Sequence, residues 1–199
     1  RTAGTPAAEC SSATMQGLKE FSENYDYRRE DIQAALKRGS KFIQTKQDAD
    51  GSWYGCWGVC YTYGTWFGIE GLLAAGFEGY KNGTPATEVK NGCDFLLSKQ
   101  RADGSWGESF EACVQHKYIE HEDGQIINTA WALLALMKAK HPDQAAIERG
   151  IEFILSRQEA NGDFPQEGIS GVFNGNCMET YTAYRNVFPL WAIARYRKG

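Results

Sequence analysis

Gly39-Ser40-Lys41-Phe42-Ile43-Gln44-Thr45-Lys46-Gln47-Asp48-Ala49-Asp50-Gly51-Ser52-Trp53 decides the fold, because its pattern returns twice. Gly92 leads through Phe95-Leu96 to Gln100 and on to Asp103-Gly104-Ser105-Trp106, and Gly150 leads through Phe153-Ile154 to Gln158 and on to Asn161-Gly162-Asp163-Phe164. Gly and Gln stand eight residues apart in each copy, and successive Gln are 53 and 58 residues apart. A unit of that size holds two helices and their turns, so the chain reads as an array of helical units.

Outward from each copy, two kinds of helix alternate. Ile32, Leu36, Phe42 and Ile43 form the apolar stripe of a helix from about Arg29 to Gln47, and the segments around Thr84–Lys99 and Gln144–Gln158 are its amphipathic counterparts. Between them lie segments that are apolar all round: Ile69 to Ala75 with only Glu70 charged, Gln125 to Met137, and a last helix through Tyr181, Tyr184, Phe188, Leu190 and Trp191. Met15, Leu18 and Phe21 mark a first helix, with Ser11 or Ser12 as its cap. A helix apolar on every face is buried on every face. The alternation therefore predicts an all-α fold, an α/α barrel or toroid of two concentric helix layers, amphipathic outside and apolar inside. Four inner and three outer helices leave an open edge on the N-terminal side, so residues 1–199 are expected to be one portion of an incomplete barrel.

With 42% hydrophobic and 23% charged residues, the chain can bury a sizeable core. A formal charge of −4 and no basic run beyond Arg195-Tyr196-Arg197-Lys198 argue against nucleic acid as a partner. No apolar run reaches the ~18–20 residues needed to span a bilayer, and Arg1 opens no signal-peptide pattern. The six cysteines, Cys10, Cys56, Cys60, Cys93, Cys113 and Cys177, read as reduced, small core hydrophobes such as Cys93 beside Phe95. Zinc on Cys56 with Cys60 and Cys113 with His116 is the rival, disfavoured because structural zinc shows tighter paired spacings. Asp50-Gly51 and Asp103-Gly104 read as turns, not calcium ligands. The repeated Gln and Trp read as a clamp between units.

The stretch Trp53 to Gly68 holds seven aromatics and four glycines in sixteen residues. Trp57, Tyr61, Tyr63 and Phe67 after the first turn, and Phe173 and Tyr181 after the third, lie at or before the starts of inner helices. There they would line a cavity, each ring worth ~0.5 to 2 kcal/mol to a desolvated cation.

The three Phe-Leu/Ile-x3-Gln…Gly-x-Trp/Phe repeats resemble the QW repeats of triterpene cyclases. Asp50 to Phe67, Gly171-Val172-Phe173-Asn174-Gly175-Asn176-Cys177 and Tyr184-Arg185-Asn186-Val187-Phe188-Pro189-Leu190-Trp191-Ala192 are similar to the oxidosqualene cyclases, the lanosterol and cycloartenol synthase family. The resemblance covers essentially the whole chain and corresponds to the C-terminal part of a longer enzyme. It implies membrane-associated conversion of 2,3-oxidosqualene to a sterol or triterpene, without cofactor or metal, at the endoplasmic reticulum or lipid droplets of a eukaryote. An aspartic acid in an Asp-Cys-Thr-Ala-Glu motif protonates the epoxide in that family, and the motif is absent here. Glu9-Cys10-Ser11-Ser12 is similar to the family's Glu-Cys-Thr-Ser, although Gly4-Thr5-Pro6-Ala7-Ala8 departs from its usual approach. By the resemblance, Cys10 hydrogen-bonds the aspartic acid, Trp57 lines the cavity, and Phe173 and Tyr181 stand beside the later cations. Its partners would be the missing N-terminal part of the enzyme and, through regions outside this chain, a membrane. Glu179 stands where the family commonly has an apolar or small residue. A zinc-dependent prenyltransferase β-subunit-like toroid and a non-catalytic α/α module are the competing readings.

Overall fold

The computed structural model describes residues 7–173 and 177–199. Gly4, Thr5 and Pro6, and Asn174, Gly175 and Asn176, which belong to stretches singled out above, lie outside the described residues. Eight α-helices are formed among the described residues: α1 Ala8–Asn24, α2 Arg29–Gln44, α3 Cys60–Ala74, α4 Thr87–Ser98, α5 Glu111–Gln115, α6 Ile126–Lys138, α7 Gln144–Ser156 and α8 Tyr184–Lys198. Two small antiparallel pairs accompany them, β1 Trp106–Glu108 with β2 Glu120–Gln125, and β3 Gly171–Phe173 with β4 Cys177–Glu179. The inner layer is α1, α3, α6 and α8, each packed on its neighbour, while α2, α4 and α7 lie outside.

Layering follows from composition. Nearly every residue of α3 and α6 is buried, whereas α2, α4 and α7 bury one stripe each. The leading glycine of each repeat lies where an outer helix touches the inner layer. A Cβ on Gly39 would meet the Met15 sulfur of α1, one on Gly92 would meet Trp53 and Ile69, and one on Gly150 would meet Leu133 of α6. Gly64 and Gly68 flatten one side of α3, and Trp53 lies directly on that side.

The three repeated turns share one geometry. Gly51, Gly104 and Gly162 have φ of 91°, 86° and 87°, in the left-handed region where a Cβ is penalised. The Asp50 carboxylate accepts from Ser52 N and Oγ, and Asp103 repeats this with Ser105, which holds the Asp103 carboxyl below its usual range despite its partial burial. Trp53 Nε1 donates to Ile43 O at 2.8 Å and Trp106 Nε1 to Leu96 O at 2.6 Å, satisfying carbonyls at the ends of α2 and α4. Each Trp backbone N–H then donates to a buried inner-helix hydroxyl, Thr65 at 3.1 Å and Thr129 at 2.9 Å. In the third turn Phe164 has no indole N–H; there Arg185 of α8 donates to Phe164 O and pairs with Asp163.

Gln supplies the link between units. Gln47 Nε2 donates to Gly51 O in its own turn and to Glu88 O in the first turn of α4, both at 2.9 Å. Gln100 does the same with Gly104 O at 3.0 Å and Ala146 O of α7 at 2.8 Å. Gln158 is seen bonded to Gly162 O of its own turn, at 2.9 Å.

Several expectations need correction. Helix α1 begins at Ala8, before Ser11 and Ser12, and neither caps it: Ser12 Oγ donates instead to Phe67 O of α3. Helix α3 begins at Cys60, not Ile69, and Tyr181 stands outside α8. Between the second turn and α6, where sequence periodicity marks no element, the chain forms β1, α5 and β2. The cysteines are not all reduced: Cys60 and Cys113 form a disulfide with a Cα–Cα distance of 5.9 Å. They stand equally far beyond Gln47 and Gln100, so consecutive units bring them together as α5 packs on the start of α3. That bond also takes one member from each candidate zinc pair. Cys93 is buried as expected, and burial pushes its thiol up to about 12.

Replacing Gln100 with Ala is expected to lower unfolding free energy by about 1–3 kcal/mol, since it removes two carbonyl contacts at once. Gln158→Ala, which removes the contact to its own turn, should cost less. Urea denaturation of both variants checks the order.

Candidate active site

Four residues singled out from sequence come to one end of the barrel. The segment leading into α3 crosses β3 as a third short strand: Gly58 bridges Gly171, Val59 N donates to Ser170 O at 2.9 Å, and Val172 N donates to Trp57 O at 3.0 Å. This crossing brings the Trp57 and Phe173 ring centroids to 5.3 Å, with 39% and 42% of the two residues exposed. Gly171 is required here, because its missing Cβ would lie 2.3 Å from the Tyr181 ring. Tyr181 packs in turn on Tyr184 at 4.7 Å, the two rings tilted by 41°.

Cys10 reaches this end through its neighbour. Glu9 is 2% exposed, and its Oε1 accepts from Cys56 N at 2.6 Å, so the first turn of α1 holds the backbone next to Trp57. The Cys10 thiol is exposed beside it. Tyr63 lies within the same field: burial, then Glu9, Tyr184, Cys10 and Cys56, push its phenol far up, so it stays protonated. Its ring meets Trp131 and Phe67 edge-on, both at 5.0 Å. Tyr61 belongs elsewhere. It packs on Tyr54 at 5.6 Å, and burial followed by Asp48 and Glu108 raises its phenol to about 12.

Below the rim, α1, α3 and α8 line an open cavity of about 350 Å³. Its walls are Tyr63, Trp66 and Phe67 of α3 and Tyr184, Phe188 and Trp191 of α8, with Ala13 and Gln16 of α1 as the remaining surface. The rings form a connected set, Tyr184–Phe188 at 4.9 Å and Phe188–Trp66 and Trp66–Trp191 both at 5.6 Å. Sequence reading assigned no site role to Trp66, Tyr184, Phe188 or Trp191, although the spacing of the last three by four and three residues is one face of a helix. No side chain lining this cavity is ionised, and π faces are what it offers a cation. A larger cavity of about 480 Å³, lined by Lys138, His141 and Arg195 among others, opens at the C-terminal ends of α6 and α8, away from the Trp57 rim.

Glu179 lies opposite Gly171 across the β3–β4 pair and receives Cys177 Sγ at 3.6 Å. Burial and the hydrogen bond to Glu179 raise the Tyr181 phenol. Glu179 is therefore a paired carboxylate on the strand face that carries Phe173. Among the described residues there is no group of three or more potential metal ligands, and no helix is long and apolar enough to cross a membrane.

Residues 5–198 match the family of squalene-hopene cyclase C-terminal domains. The chain is 52% identical over 189 residues to the lanosterol synthase of Mus musculus, covering 94% of this chain and 26% of that protein. It is also 52% identical over 194 residues to the cycloartenol synthase of Dictyostelium discoideum, covering 96% and 27%. It thus spans about a quarter of the length of these relatives. Among solved structures, the ent-copalyl diphosphate synthase from Streptomyces platensis superposes with a TM-score of 0.72 over 98% of this chain and 34% of that one, at 20% identity. That likeness bears on the fold alone, and it is the helical toroid of the terpene cyclases.

Two outcomes follow from this geometry. Gly171→Ala is expected to displace the Tyr181 ring and destabilise by about 1–3 kcal/mol, the usual range for overpacking, as read by thermal melting and by loss of the Tyr181–Tyr184 ring contact in a crystal structure. Tyr61 and Tyr80 both hold their protons more tightly when folded, with phenols at about 12. The stability this confers is complete below the ordinary phenol value near ~10 and is lost as pH rises towards about 12. Denaturation midpoints between those limits, alongside phenolate absorbance, should show the decline.

Proposed function

The chain belongs to the squalene-hopene cyclase C-terminal domain family, and from that membership we propose that it is the C-terminal part of an oxidosqualene cyclase making a sterol or triterpene. The substrate is 2,3-oxidosqualene, and the reaction is an intramolecular rearrangement. A proton opens the epoxide, alkene electron pairs form ring carbon–carbon bonds one after another, and loss of a proton returns a neutral product. No electron donor or acceptor enters this balance.

The observation that supports the reading best is the uncharged aromatic wall. Trp57, Phe173 and Tyr181 at the rim continue through Tyr184 to Phe188, Trp66 and Trp191 in the cavity. Each ring attracts a cation by ~0.5 to 2 kcal/mol without offering a lone pair that would capture it. Exclusion of water by such walls also protects a reactive cation. Cys10, exposed at the head of α1, would hydrogen-bond the acid that protonates the epoxide, and that acid belongs to a part of the enzyme outside this sequence. The remaining partner is a membrane, reached through regions outside the chain, at the endoplasmic reticulum or lipid droplets.

In the full-length enzyme, Trp57→Ala and Phe173→Ala are each expected to shift the product mixture towards other or incompletely cyclised skeletons, with melting temperatures reduced only slightly because both rings are partly exposed. Gas chromatography with mass spectrometry of the products decides. A loss of stability with an unchanged mixture would favour the packing-only reading. The 199-residue chain by itself is expected to release no cyclic product from oxidosqualene, because no residue in it matches the family's acid motif.

A further inference from the structure

The inner helices α3 and α6 begin without caps of their own. Val59 and Gln125 occupy the N-cap positions, and neither gives a side-chain hydrogen bond to the first turn. Each first turn instead receives a carboxylate from the next unit's turn. Glu108, two residues beyond Trp106, accepts from Tyr61 N through Oε1 and from Thr62 N and Oγ1 through Oε2, all at 2.8 Å. Glu167, three residues beyond Phe164, accepts from Ile126 N at 2.6 Å. Glu108 is completely buried. Burial pushes its carboxyl upward against the opposing pull of these hydrogen bonds.

A buried carboxylate with no ion-pair partner is costly to keep, yet this one lies at the positive end of a helix, where backbone N–H groups and the dipole favour an anion. What it holds is specific. The residues immediately before its helix are the Trp57-Gly58-Val59 crossing, which meets Ser170, Gly171 and Val172 and carries the Trp57 ring to Phe173. Asn128 of α6 also donates to Val59 O at 3.3 Å, so the crossing is tied on the side of α6 as well. Both Glu108 oxygens are engaged with the helix, which leaves its charge in place while keeping its lone pairs from any cation.

We propose that Glu108 is a positioning residue of the candidate site: it holds the first turn of α3, and with it Trp57, and offsets the positive helix end whose field a cation bound in the site would otherwise feel. The part concerning a cation rests on the cyclase reading, and the holding of the crossing does not. The test uses the full-length enzyme with Glu108→Gln, which removes the charge at nearly constant size, and Glu167→Gln as the comparison.

Hydrogen exchange read by mass spectrometry is expected to rise about ten-fold in residues 56–62 of Glu108→Gln, the equivalent of losing one charged hydrogen bond, with residues 125–128 unchanged. Glu167→Gln should give the reverse pattern. Exchange unchanged at 56–62, or raised uniformly along the chain, would overturn the proposal. Turnover of Glu108→Gln should fall about ten-fold at constant KM with an altered product mixture, and wild-type turnover and products per folded enzyme would overturn the role towards the cation. If Glu108→Gln does not fold, Thr62→Val, which deletes one of the three donors, carries the exchange arm: a smaller rise confined to 56–62 supports the proposal, and none refutes it. If wild-type enzyme forms no cyclic product, the cyclase reading fails while exchange still decides the positioning.

Discussion

The side-chain amide nitrogen of Gln100 gives one hydrogen to Gly104 O of its own turn and the other to Ala146 O in the first turn of α7. Gln47 joins its turn to α4 in the same way. Fixing the turn on both sides leaves the following Trp one place to go. Its indole N–H meets the last carbonyls of the outer helix, and its backbone N–H meets a threonine of the inner helix. One planar amide thereby ties together an outer helix, an inner helix and the neighbouring unit. Everything beyond the turn starts from that fixed point, including the segment that places Trp57.

How much of this was legible depends on where the controlling contact lies. Helices α6 and α7 could be bounded closely because their apolar pattern is local, and Asp143 caps α7 through Ala146 N. Helix α3 could not. Its first turn is held by Glu108, well beyond it in the sequence, so the run from Cys60 to Gly68 looks like a glycine-rich approach when it is already helical. The pairing of β1 with β2 was hidden for a similar reason. Its residues, such as Glu108 and Glu120, alternate too little in polarity to suggest strands, and the pair carries a register shift. The disulfide needed a comparison of like positions in successive units, Cys60 with Cys113, which the spacing of neighbouring cysteines does not invite.

The site divides along the same line. The rim was readable because unusual residues concentrate there: glycines at 55, 58, 168 and 171 interleave with Trp57 and Phe173. The two glycines that bridge, Gly58 and Gly171, are where the rings of Tyr63 and Tyr181 come too close for any Cβ. The cavity wall was not readable as a site, since Trp66, Phe188 and Trp191 are ordinary in an apolar helix and become a wall only when the rings of α3 and α8 meet beside α1. Arg185 and Arg195 bring α8 there, one bonding the third turn and the other reaching Glu70.

Three carboxylates that reach the inner layer are each held by partners, which on the cyclase reading matters to a cation in the middle. At the N-terminal ends stand Glu108 and Glu167, each spent on helix donors. Towards the other end Glu70, the single charge on α3, is 2% exposed and held by Arg195 at 2.6 Å, with Lys138 at 4.0 Å. Glu70 also accepts from the Trp66 indole N–H at 3.2 Å. A hydrogen bond to an anion pushes electron density back into the donor in a low-dielectric interior, which makes the face of Trp66 a better partner for positive charge. The anion itself stays out of reach, locked to Arg195 behind the ring. On the cyclase reading, a cavity built this way would offer a cation polarised aromatic faces, with the Glu70 and Glu108 carboxylates held by partners of their own.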